Sequence, residues 1–158
     1  MAVDLLASVG EPERTRALLT EYQAPEPAEV QKGALKVESL VRGALAFTEG
    51  DGAEAVRLFR VADTEGCTIC VLPFLGRALE LTGDERAARQ AYERYLTLTW
   101  PDRAAPWPSG PWVASGDGLW RVPVLERLIA MDLRADDLES ARERLEKCKP
   151  HQCELGYL

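Results

Sequence analysis

The stretch ICVLPFLGRALELTGDERAARQAYERYLTLTWP, residues 69–101, places two helical patterns on either side of a glycine. Ahead of the glycine, Leu72, Leu75, Gly76 and Leu79 recur at i, i+3, i+4 and i+7, the spacing of a single α-helical face. Beyond it, Ala88, Ala91, Tyr92 and Tyr95 repeat that spacing. Gly83 suits the junction because a helix ends most easily in a residue that enters the left-handed region without steric cost. Asp84 then offers a short acceptor to the first free amides of the next helix.

Self-similarity at a fixed period decides a fold before any other signal, and here it extends along the chain. The sets Thr15-Leu18-Leu19-Tyr22, Ala55-Leu58-Phe59-Ala62 and Ala141-Arg144-Leu145-Cys148 have the same spacing and begin five residues after Gly10, Gly50 and Asp136. Matching first helices are Val37-Leu40-Ala44-Phe47 and a weaker Leu125-Leu128-Ile129. Asp51 with Glu54, and Asp136 with Glu139, have the capping-box spacing, in which a short acceptor takes early amides and the later glutamate reaches back. The expected unit is helix, tight turn, helix, and the expected fold is all-α.

On these residues the chain resembles the tetratricopeptide (TPR) family, whose repeats are about 34 residues long. Leu75-Gly76 fall at the family's leucine-glycine pair, Ala88 and Tyr92 at its small and aromatic positions, and Pro101 near its terminal proline. The unit from Lys36, with Gly43, Gly50, Ala55 and Phe59, matches nearly as well. A third, from about Val122, departs: Ile129 replaces the small residue and Asp132 the usual aromatic, which puts close helix packing there in doubt. The resemblance implies a short TPR-like α-solenoid, a partial repeat over 1–23, repeats over 36–68 and 69–101, an insert over 102–121, a degenerate repeat over 122–150 and a tail over 151–158. Residues 66–96 are also similar to the C-terminal repeats of some bacterial multidomain regulators. With Gly10 at a turn, Met1 falls inside a first helix, as in the carboxy-terminal part of a longer repeat protein or in a short capping helix.

Composition narrows the function. A chain of 158 residues suits one domain or a short array, and 46% hydrophobic with 28% charged residues is ordinary for a folded protein. The net charge of -7 repels a phosphate backbone, so nucleic acid is not an expected partner. The start has no basic-then-apolar leader pattern and no stretch reaches about 18 apolar residues, so no membrane association and a cytoplasmic setting are expected. His151 is the sole histidine and no glycine-rich phosphate loop occurs, so no enzyme is expected. The acid pairs Asp84-Glu85 and Asp136-Asp137 stand at helix starts, where capping accounts for them.

Residues 23–33, QAPEPAEVQKG, read as a linker. Residues 100–120, WPDRAAPWPSGPWVASGDGLW, hold all four tryptophans and four prolines at a spacing that forbids a continuous helix. Two readings are open: the segment folds over the seam between the second and third units, or part of it forms an aromatic lid for a ligand. Cys67-Thr68-Ile69-Cys70 and Cys148-Lys149-Pro150-His151-Gln152-Cys153 are expected as reduced thiols or metal ligands. Cys67, Cys70, Cys148 and Cys153, with His151 as alternative ligand, form a candidate zinc set, against the readings of a redox pair and of inert thiols.

The resemblance also implies a concave surface made by the first helices, able to receive another protein or peptide. Its candidate partner contacts are Phe47, Arg77, Glu80, Glu126 and Arg134, joined by Trp107 and Trp112 from the insert. Family members that hold a chaperone's terminal carboxylate use lysine and asparagine where this chain has Leu40, Ala44, Pro73 and Arg77, so that mode is not expected. A plain solvated face is the competing reading of the charged positions.

Overall fold

The computed structural model describes the backbone of residues 11–22, 28–65, 68–98 and 110–148, and the side chains of 11–17, 20, 38–64, 71–98 and 120–148. Those residues form seven helices and no strand: α1 (Pro12–Tyr22), α2 (Ala28–Thr48), α3 (Gly52–Glu65), α4 (Thr68–Leu81), α5 (Glu85–Thr97), α6 (Gly110–Arg134) and α7 (Leu138–Cys148). Each helix packs on the next in chain order, and α2 also meets α4. The chain is all-α, with three hairpins, α2–α3, α4–α5 and α6–α7, joined in series. Among the described residues no helix is long and apolar enough to cross a membrane.

One turn is used three times. Gly50 and Gly83 have φ of 82° and 80°, and Asp136 takes the same left-handed place with φ of 58°. In each turn the amide of the following aspartate bonds back across the helix end, Asp51 to Ala46 at 2.9 Å, Asp84 to Leu79 at 2.9 Å and Asp137 to Asp132 at 2.9 Å. The same three aspartates then cap the next helix, accepting from Glu54 at 3.0 Å, Ala87 at 3.1 Å and Ser140 at 3.0 Å. Asp137, not Asp136, therefore caps α7, and the expected Asp136–Glu139 box is out of phase by one. Aspartate is among the few residues besides glycine that tolerate the left-handed region, which is how Asp136 stands in for the glycine. The Ser140 amide holds the Asp137 carboxyl below its ordinary range.

Two expected irregular segments are partly helical. α2 starts at Ala28 and so takes in Glu29–Gly33, because Pro25 and Pro27 precede the helix instead of interrupting it. α6 starts at Gly110, ten residues before Trp120, because Pro111 falls in the first turn, where a missing amide costs nothing. Pro73 and Pro123 stand inside α4 and α6.

The α2–α3 and α4–α5 hairpins are each closed by a glycine against a ring. A Cβ on Gly43 would sit 2.7 Å from Cε1 of Phe59, and one on Gly76 2.5 Å from Cζ of Tyr92. Both rings are fully buried. In the third hairpin Ile129 and Leu145 occupy the equivalent positions, so bulk moves from α7 to α6 and the fit survives. Ile129 is only 2% exposed and clusters with Leu125, Ala141 and Cys148, which removes the doubt about packing there. The rest of the core is one larger cluster running from Leu40 through Phe59, Leu72 and Tyr92 to Met131.

Candidate functional site

The first helices bring together part of the expected contact surface. Phe47 on α2 and Glu80 on α4 each stand three residues before their glycine, and Arg77 lies one helical turn before Glu80. The guanidinium carbon of Arg77 lies 4.8 Å from the centre of the Phe47 ring. Glu80 accepts a hydrogen bond from the Tyr92 hydroxyl at 2.5 Å and another from Nη1 of Arg127, on α6, at 2.8 Å. Five side chains from four helices thus form a row, in which Glu80 is held by Arg127 and Tyr92, and Arg77 feels its charge without bonding to it.

Burial and the charge of Arg127 both weaken the hold of Arg77 on its proton, with Tyr92 and Glu80 opposing them. Arginine keeps its proton regardless, so Arg77 remains a partly desolvated cation. Its Nε is enclosed and has no hydrogen-bond partner among the described residues.

Tyr92 carries a testable pH dependence. Burial, and secondly the bond to Glu80, push its phenol far above the ordinary value. A group kept protonated by folding gives stability that is present below the unfolded value, about 10 for tyrosine, and is lost as pH rises past it. Denaturant melts are therefore expected to show stability falling above about pH 10, with a shallower fall in Tyr92→Phe. An equally steep fall in that variant assigns the effect to another residue.

The remaining candidates lie elsewhere. Arg134 pairs with Glu85 of α5 at 2.7 Å, beside a cleft of about 330 Å³ at the α5–α6 seam. Glu126 is half-buried and joins no ion pair among the described residues. Trp107 lies outside the described residues, and so does the side chain of Trp112 within α6. Trp120, at the end of the segment expected to be an insert, meets Phe74 edge-on at 4.7 Å, and Phe74 stacks on Phe59 at 5.9 Å. This end of the segment packs across the seam between α6 and α4.

Sequence reasoning missed Arg127 and a second charged cluster. Asp132 is fully buried, and it accepts from Arg89 of α5 and from Nε of Arg144 at 2.8 Å, while Nη2 of Arg144 reaches Glu93 at 2.6 Å. Aligned on the turns, Asp132 stands where Ala46 and Leu79 stand, and Arg144 where Leu58 and Ala91 stand. Opposite charges at two positions that are apolar in the other units were the available signal.

Of the candidate zinc set, Cys67, Cys153 and His151 lie outside the described residues, as does the side chain of Cys70. Cys148 is fully buried and disulfide-bonded, not the reduced thiol or zinc thiolate expected. The expectation of free thiols rested on compartment, which cysteine spacing does not determine.

No family model, curated protein or solved structure matches this chain.

Proposed function

We propose that the chain is a non-catalytic protein–protein interaction scaffold, a short TPR-like α-solenoid whose first helices receive another protein or peptide. The observation that carries the reading is the threefold recurrence of one turn, cap and closely packed helix pair, with first helices α2, α4 and α6 contributing Phe47, Arg77, Glu80 and Arg127 to one row. Solenoids built this way leave an extended face for a partner. The resemblance noted above favours a place within a larger bacterial regulatory protein.

Affinity capture with the full chain tests the face. Arg77→Glu is expected to lose the partners retained by wild type and by Arg57→Glu, a control on the exposed side of α3. An identical partner set for all three proteins excludes the Arg77 face.

The Cys148 disulfide favours a second reading, a thiol-based sensor, over its zinc-stabilised form. It also weighs against the cytoplasmic setting expected from the sequence. Mass mapping of the bridge in protein taken from cells, with localisation of the tagged chain, decides both.

A further inference from the structure

We infer that Arg77 is the anchor for an acidic side chain of the bound partner, a deepening that rests on the interaction reading above. Of the half-buried arginines, Arg89, Arg127 and Arg144 each hold a carboxylate, whereas Arg77 and Arg121 hold none among the described residues. The Nε of Arg77 is the one buried side-chain nitrogen without a partner among the described residues. Stacking on Phe47 fixes the plane of the guanidinium, so its orientation is settled before anything binds.

The local charge is incomplete in one sense only. Arg77 and Arg127 flank Glu80, whose carboxylate already serves Arg127 and the Tyr92 hydroxyl. A second carboxylate beside Arg77 completes an alternating set of two cations and two anions. None of the described residues supplies it, although acids outnumber Lys and Arg by 26 to 19 along the chain. Arginine's planar fork binds a carboxylate through two parallel hydrogen bonds, a geometry that lysine cannot reproduce. The occupant is thus a peptide segment presenting an aspartate or glutamate side chain to the row formed by α2, α4 and α6.

The probe is a random dodecapeptide library displayed on phage, selected against the full chain and against Arg77→Gln, Arg77→Lys and Arg77→Glu, each checked by circular dichroism for an unchanged helical melt. Wild type is expected to enrich peptides with Asp or Glu at a fixed register. For the best of these, Arg77→Gln is expected to weaken binding about tenfold or more, and Arg77→Lys to recover only part. Exchanging the peptide's acid for its amide is expected to reproduce the loss, amidating its C-terminus to change nothing, and Arg77→Glu to select Lys or Arg at that register. Enriched peptides without an acid, or an affinity unaffected by Arg77→Gln, overturn the anchor but leave the interaction face standing. Sensitivity to C-terminal amidation in place of the side chain also overturns the anchor. Failure of every folded variant and of wild type to enrich any peptide overturns both readings.

Discussion

Gly76→Ile is expected to unfold the α4–α5 hairpin, and Tyr92→Leu in the same chain to restore it. A side chain at position 76 enters space held by the Tyr92 ring, since even a Cβ there comes within 2.5 Å of Cζ. The ring is fully buried and tied to Glu80, so it has little room to yield. Overpacking of this kind costs about 1–3 kcal/mol and more where no neighbour moves. Tyr92→Leu alone leaves a cavity and costs about 2–4 kcal/mol by comparison with other large-to-small core changes. The pair recreates what Ile129 and Leu145 already achieve in the third hairpin. Urea melts of the four proteins are therefore expected to give a coupling energy of about 2 kcal/mol or more in favour of the double variant. Additive costs would mean that the hairpins do not share one packing rule.

Asp132→Ala is expected to cost about 3–5 kcal/mol, because it leaves the half-buried Arg89 and Arg144 without the carboxylate between them. The informative comparison is Asp132→Leu with Arg144→Ala, which installs the side chains of the second hairpin, Leu79 and Ala91, at the same two positions. Replacing a whole buried ionic group by apolar residues of fitting volume is often neutral or stabilising. The double variant is accordingly expected to lie within about 1 kcal/mol of wild type, or above it. Arg89 then turns to solvent. A double variant as unstable as Asp132→Ala would show that the charges supply stability, not the register of the seam.

The periodicity of residues 69–101 was enough to reveal the hairpin, its turn and its cap, because each depends on neighbours within one turn of helix. The third turn was found but misphased: Asp136 and Asp137 have the same side chain, and only the backbone angle separates the left-handed residue from the cap. Proline content misled over 110–120, where the consequence of Pro111 depends on whether it opens a helix or interrupts one. Phe47, Arg77 and Glu80 were legible as one face because they follow helical spacing from the glycines. Arg127 was not, since it occupies the inward position held by Val41 and Phe74 in the other hairpins. Its contact with Glu80 spans 47 residues, and no local pattern carries that information.

The separation of the small cluster around Ile129 from the main core sets the order in which the molecule opens. α7 contributes Ala141 and Cys148 to that minor cluster and turns Arg142, Glu143, Glu146 and Lys147 to water. Outside the points held by Arg144 and the Cys148 disulfide, its amides are expected to exchange with solvent hydrogen ahead of those of α4 and α5, whose release needs the larger core to come apart. The part of the partner-facing row on α2 and α4 is then expected to outlast the opening of α7.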